Sequence, residues 1–352
     1  MKVYSASQAV WPAIQRTTRF LFCPFAWETF LKLASVAVIT EGVVVNVKLW
    51  APNAPFPDAS PIGRTSFLQT PGFILIAVLA GLAAIVIGLL LYLMVTQLRF
   101  AFFHCLIHQA REIRPAWSLY RVQAQRMFVA SLSIWLTLLV PAILVVVGLV
   151  VLAFTVMTLR TPDGLLDPGV FLMLFFPGMG LALLLCLLGV AAEVVMHDFI
   201  LPHMALENRS FREAWTAVWQ CIGANKETFF SYFILRLLLP GLAGVILAIV
   251  CLILLLIVFG ILGMSAAGFN AMLEDATGIG ALVRVAIEVL FALLGLGIGY
   301  SVAVGLGGPV ATWIRNYALL FYGGRYKALG DLLYPPAPSP PSPIASGAAE
   351  IA

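Results

Sequence analysis

The chain has 352 residues, of which 62% are hydrophobic and only 10% are charged, whereas soluble domains carry about 25% charged residues. Its mean hydropathy of +1.03 is higher than the core of a water-soluble domain requires, so the composition excludes an ordinary soluble enzyme. The net charge of +4 is small. The basic residues do not gather in a soluble domain that could grip nucleic acid, so we expect no nucleic-acid partner.

Five runs without a charged residue predict membrane-spanning helices, because a helix needs about 20 apolar residues to cross the hydrocarbon core. The runs lie between Arg64 and Arg99, Arg126 and Arg160, Asp167 and Glu193, Arg236 and Glu274, and Glu288 and Arg315. The predicted spans are about 71–97, 129–157, 169–195, 237–262 and 289–313.

A sixth candidate span, about 29–49, is interrupted by polar residues. Lys32, Glu41, Asn46 and Lys48 fall within it. A charge near the middle of the bilayer costs about 3 kcal/mol on insertion scales. The alternative is a re-entrant or interfacial helix, which would leave five true spans.

The distribution of basic residues favours six spans with both termini in the cytoplasm. In that threading, sixteen lysines and arginines lie on the inner side and four lie on the outer side: Lys48, Arg64, Arg160 and Arg284. Cytoplasmic loops carry an excess of such residues. Omitting the first span moves residues 1–70 outside and weakens this asymmetry.

The sequence therefore predicts an all-α, polytopic helical bundle in three parts. An interfacial segment, 1–28, precedes a membrane domain, 29–334, and a proline-rich tail, 335–352, is predicted to be disordered. Three amphipathic stretches, around Trp11, Trp117 and Trp215, each precede a pair of predicted spans, so a threefold repeat of interfacial helix and helical hairpin is possible. A capping box, Ser210 with Glu213, predicts the start of the third interfacial helix.

Ionisable residues inside or beside spans are candidates for a substrate or proton path. Glu41 is the most deeply placed of them, and its only evident local partner is Asn46. Glu193 and Arg236 both lie near the inner ends of their spans and could pair with each other. The alternative for Glu41 is a hydrogen-bonded packing residue.

A possible metal site lies after the second span. His104, His108 and Glu112 are spaced i, i+4, i+8 and would share one face of a helix. Two histidines and a carboxylate can hold zinc or another divalent ion. The alternative is a polar patch near the lipid headgroups, because the segment lacks the glutamate of the HExxH motif.

Small residues recur in the last predicted span, which favours close helix packing. The alternative is a flexible helix that lines a pathway. The residues are Gly295, Gly297, Gly299, Ser301 and Gly305.

Two segments resemble a group of uncharacterised bacterial multi-pass proteins. They are TRFLFCPFAWETFLKLASV, at the entry to the first span, and HDFILPHMALENRSFREAWTAVWQCIGANKETFFSYFILRLLL, after the fourth. The group is similar in style to the membrane domain attached to some bacterial glycerophosphodiester phosphodiesterases. The resemblance implies a six-helix bundle of the bacterial inner membrane. The chain carries no phosphodiesterase domain, so that activity is not implied.

The sequence shows no phosphate-binding loop, nucleophile elbow or dinucleotide motif, so we expect no enzyme activity and no cofactor. We expect membrane lipid as a partner, together with protein partners if the chain belongs to a larger membrane complex. The predicted function is a non-enzymatic membrane scaffold or a component of a transport or secretion system. One alternative is a transporter of a small solute or lipid that uses Glu41 and the glycine-rich span. The other is a metal-dependent membrane enzyme.

Overall fold

The computed structural model describes residues 3–46, 71–158, 168–272 and 279–334. All regular elements in these ranges are helical, which confirms the all-α prediction. The helices are α1 (Val10–Phe22), α2 (Trp27–Asn46), α3 (Pro71–His108), α4 (Arg114–Leu119), α5 (Arg121–Thr158), α6 (Pro168–Val195), a π-helix (Met196–Ile200), α7 (Leu201–Leu206), α8 (Phe211–Ala224), α9 (Lys226–Met272), α10 (Ile279–Gly323) and α11 (Lys327–Leu333). The predicted disordered tail, 335–352, lies outside the described residues.

Five helical segments in the described ranges are long and apolar enough to cross a membrane, which indicates a multi-pass membrane protein. They are Leu75–His108, Arg121–Thr155, Leu172–Leu206, Lys226–Phe269 and Leu282–Gly323. The sixth predicted span falls in α2, which has 20 residues, and it is not confirmed. α9 and α10, with 47 and 45 residues, are each about 70 Å long. They continue past the arginines that end their uncharged runs.

The chain divides into two compact units. The first comprises Met1–Ile62, Phe102–Ile113 and Lys226–Ala352, and the second comprises Gly63–Ala101 and Arg114–Asn225. In the first unit, α10 packs against α1, α2, α9 and α11. In the second, α5 and α6 form a hairpin, and the π-helix packs against α8.

The most buried segments are the polar and aromatic stretches that follow three of the apolar runs. Phe100–Leu106, Met196–Met204 and Tyr317–Tyr322 are almost completely buried. In the first unit, the Tyr232 ring stacks on Tyr317 and Phe321 at centroid distances of 5.4 and 4.3 Å. By contrast, α3 is exposed at every position from Leu75 to Leu91.

The predicted amphipathic helices are present around Trp11 and Trp215. α1 buries one face through Ala13, Thr17 and Phe20. α8 begins with the predicted capping box, in which the Ser210 hydroxyl accepts from the Glu213 N–H and the Glu213 carboxylate accepts from the Ser210 N–H. Around Trp117 the helix has only six residues. The threefold repeat is therefore not confirmed.

Helix α2 does not run antiparallel to α10. A side chain on Gly308 of α10 would overlap Ala34 of α2, so the two backbones meet there. Seven residues further along each helix, Glu41 Oε1 lies 3.9 Å from Arg315 Nε. In an antiparallel pair, seven residues on each helix would separate the two Cα atoms by about 21 Å, which these side chains cannot bridge.

We predict that Gly308→Val destabilises the protein by about 1–3 kcal/mol, because the added side chain overpacks the contact with Ala34. Gly297→Val, on the same helix, is the matched control, since no atom lies within 4 Å of the position that its Cβ would take. Thermal unfolding of both variants in the same detergent measures the difference. Equal losses in the two variants would contradict the close contact.

Candidate functional site

The first unit contains a buried ion cluster built by three helices. Arg236 Nη2 on α9 donates to Glu41 Oε2 on α2 at 3.2 Å, and Arg315 of α10 lies on the other carboxylate oxygen. The side chains of Glu41 and Arg236 are 13% and 12% exposed, and that of Arg315 is 2% exposed. One carboxylate therefore links α2, α9 and α10.

The structure gives Glu193 and Arg236 partners that the sequence did not suggest. Arg236 binds Glu41, 195 residues away in sequence, and Glu193 binds Arg99. The sequence offers Glu41 no local partner beyond Asn46, and the structure gives it two arginines from distant helices. The side chain of Asn46 lies outside the described residues.

The ion cluster places Glu41 level with the ends of two apolar runs. Arg236 immediately precedes the uncharged run in α9, and Arg315 immediately follows the one in α10. The sequence predicts that Glu41 lies deep within a span. Its partners show instead that it lies at the boundary of the apolar parts of α9 and α10.

The second unit contains a second buried ion cluster. Arg99 Nη2 of α3 donates to Glu193 Oε1 of α6 at 3.2 Å, and Arg99 Nη1 also contacts His197 Nε2. All three side chains are less than one tenth exposed.

The π-helix brings additional polar groups into this region. His197 and Asp198 lie within it, and both are buried. A π-helix has a wider turn than an α-helix, and such segments are common at functional sites. His197 lies four residues after Glu193, and its Nε2 is 3.6 Å from the Glu193 carboxylate.

Sequence reasoning missed Arg99 and His197 as members of a site. One signal was present: Glu193 and His197 are four residues apart, the spacing at which helix side chains meet.

The structure does not bring His104, His108 and Glu112 together as one ligand set. The two histidine rings lie 4.4 Å apart between centroids, but α3 ends at His108, and Gln109 adopts a left-handed conformation with φ of 54°. Glu112 therefore follows the helix and does not share its face, so that prediction is wrong. Among the described residues, no group of three or more His, Cys, Asp or Glu side chains could hold a metal ion.

The small residues of α10 divide into two sets. Positions 295 and 299 face α9, where an added Cβ would lie 2.9 Å from Phe259 and 3.7 Å from Leu255. Positions 297 and 305 have no atom within 4 Å of such a Cβ. The Ser301 hydroxyl donates to the Gly297 carbonyl of its own helix.

The chemistry of the two ion clusters is that of structural pairs. Each cluster joins helices that are distant in sequence, and removing one partner would leave a buried charge uncompensated.

The family model for a family of unknown function (DUF7544) matches residues 4–332. The chain belongs to this family. No curated protein and no solved structure matches the chain. The DUF7544 match covers nearly all the described residues, and it is consistent with the predicted uncharacterised family. The similarity to the membrane domain of glycerophosphodiester phosphodiesterases stays a prediction.

We predict that Arg99→Met in this DUF7544 protein lowers the free energy of unfolding by about 3–5 kcal/mol, because it leaves the buried Glu193 carboxylate without its guanidinium. The double variant Arg99→Met/Glu193→Met should recover most of this loss. Equilibrium unfolding in detergent, followed by tryptophan fluorescence, measures both.

Glu28→Gln is the control, because it removes an ion pair that is exposed and not buried. Its partner Lys32 lies at 2.5 Å, but the two side chains are 81% and 66% exposed, so we expect no measurable loss. A double variant that is as unstable as Arg99→Met would show that lost packing, and not the unpaired charge, causes the effect.

Proposed function

We propose that this protein is a non-enzymatic scaffold of the bacterial inner membrane that holds partner helices in a transport or secretion complex. The observation that carries the proposal is the uncovered helix surface. From Leu75 to Leu91, α3 is apolar and exposed at every position, so in a bilayer each of its faces meets lipid or another protein. The most apolar stretch of α9, whose mean hydropathy of 3.6 is the highest of the five, has only 6% of its residues buried.

The ion clusters support a scaffold in preference to a catalyst or a pathway. Arginine holds both Glu41 and Glu193 in ion pairs, and the packed aromatic segments lie beside these pairs. The helices are thus tied together near the ends of their apolar runs, while their remaining lengths are available to a partner. Packing between membrane helices depends on shape and on small residues more than on hydrophobicity, since lipid is as apolar as leucine.

We also propose that α1, the far end of α3 and the end of α10 lie on one side of the membrane. α1 packs beside Trp313 and Asn316 at the end of the last apolar run, and Arg111, just after α3, bonds to the turn between α1 and α2. The excess of basic residues assigns this shared side to the cytoplasm.

Reporter fusions test this assignment. A fluorescent protein fused before residue 4 or after residue 334 should fold and fluoresce in the cytoplasm, and alkaline phosphatase, which needs the periplasm, should be inactive at both positions. An active phosphatase at either position would contradict the shared cytoplasmic side.

Photo-crosslinking combined with native mass spectrometry tests the scaffold. A photoreactive residue at Leu82, which is 61% exposed, should give a discrete protein adduct at natural expression level, because an uncovered helix contacts its partner there. The same residue at the fully buried Phe103 is the control and should give none. Only lipid adducts at Leu82, with a monomer by mass spectrometry, would contradict the scaffold.

The second candidate function is transport of a small solute or lipid, favoured by the partial exposure of the Glu41–Arg236 pair in the first unit. Glu41→Gln distinguishes the two candidates. A transporter that depends on the Glu41 charge should lose uptake while still inserting and binding its partners. A scaffold should lose thermal stability and keep the Leu82 adduct below its melting temperature.

A further inference from the structure

An exposed aromatic turn joins α1 to α2. We define the aromatic turn by Phe22, Phe25 and Trp27, which are 39%, 46% and 68% exposed. Their rings pack on one another, with centroids 6.1 Å apart for Phe22 and Phe25 and 5.0 Å apart for Phe25 and Trp27. A preformed aromatic surface of this kind would be a liability in water and is typical of the layer where lipid headgroups meet acyl chains.

The helix that leads into the aromatic turn lies where an apolar span ends. The Trp313 indole N–H donates to the Val10 carbonyl of α1, and the Asn316 amide donates to the Thr17 hydroxyl at 2.9 Å. These two residues of α10 flank Arg315, the first charge after the uncharged run. α1 therefore lies at the end of that apolar run, at headgroup level.

Two arginines fix the shape of the aromatic turn by reciprocal bonds. Arg111 donates to the carbonyls of Cys23 and Pro24, each at 2.6 Å. In the other direction, Arg16 of α1 donates to the Leu106 carbonyl at 2.8 Å. The turn is thus held by charged groups, and its backbone carbonyls are already occupied.

Three guanidinium groups near the turn have no carboxylate partner within the described ranges. These are Arg16, Arg19 and Arg111, for which no ion pair forms within 4.0 Å, whereas the nearby Lys32 is paired with Glu28. Burial lowers the pKa of Arg16, yet arginine stays charged because its ordinary pKa is above 12. The surface therefore carries positive charge that the protein does not neutralise.

We propose that the aromatic turn, together with Arg16, Arg19 and Arg111, is a binding site for the phosphate of an anionic phospholipid. Guanidinium groups bind phosphate by directed, charge-assisted hydrogen bonds. Phe22, Phe25 and Trp27 bury in the adjoining acyl region, which places the turn at the depth of the phosphate. The site does not depend on the proposed scaffold function, because it rests on different residues of the first unit.

Lipid retention by the full-length protein tests the site. The protein is reconstituted in nanodiscs with equal amounts of phosphatidylglycerol and phosphatidylcholine, and native mass spectrometry counts the lipids retained after release. Wild type should retain phosphatidylglycerol preferentially. Arg19→Gln should reduce that preference about fivefold, and Arg19→Gln/Arg111→Gln about 25-fold, because each basic residue near an anionic surface contributes a similar factor.

Lys327→Gln is the matched control, since Lys327 is an exposed cation of the same unit that is not part of the site. It should leave the preference unchanged. Arg19 is itself exposed and forms no hydrogen bond within the described ranges, so its single variant should fold normally even if Arg111→Gln does not. An unchanged preference in folded Arg19→Gln, or an equal loss in Lys327→Gln, would overturn the proposal.

Two further measurements distinguish a lipid headgroup from free phosphate and from membrane contact without headgroup selection. Inorganic phosphate at millimolar concentration should not displace the retained phosphatidylglycerol; complete displacement would indicate a site for free phosphate. Quenching by brominated phosphatidylglycerol, taken as the difference between wild type and Trp27→Phe, should exceed quenching by brominated phosphatidylcholine. Equal quenching by the two lipids would show that the aromatic turn contacts the membrane without selecting the anionic headgroup.

Discussion

The packing of both units depends on one constraint. A charged side chain at the end of an apolar run needs a counter-charge if neighbouring helices bury it. Arg99 meets Glu193, and Arg236 and Arg315 meet Glu41. A lone guanidinium or carboxylate in either place would carry a desolvation penalty of several kcal/mol. Each pair therefore restricts which helices can lie together at that level, although it contributes little net stability compared with an apolar contact.

The hydrocarbon parts of the helices are under a different constraint. Their backbone groups are satisfied within each helix, and lipid solvates their leucines and valines as well as another helix would. Nothing forces α3 to cover its faces, and the burial is concentrated instead in the aromatic segments beside the ion clusters. This division explains how a protein with 62% hydrophobic residues can have its most buried residues in its more polar and aromatic segments.

Local patterns were sufficient for the helices themselves. The uncharged runs predicted five spans because the length of each run matches the thickness of the bilayer. Ser210 with Glu213 predicted the start of α8 because a capping box acts within four residues. The pairing of charges was not predictable in the same way. Glu41 and Arg236 are 195 residues apart, so no local spacing distinguishes this pair from the expected pair of Glu193 with Arg236.

The sequence by itself determined the membrane environment, the helical class and the positions of the charged ends, since these follow from composition and from periodicity along one segment. Only the tertiary structure decided that Glu41 lies at the end of two apolar runs, that Glu112 is beyond the end of α3, and that three arginines near the aromatic turn have no carboxylate partner in the described ranges. Those features depend on which helices meet, in which direction and at what level. Contacts between distant segments determine how the helices meet, and the residues next to each position in the sequence do not indicate those contacts.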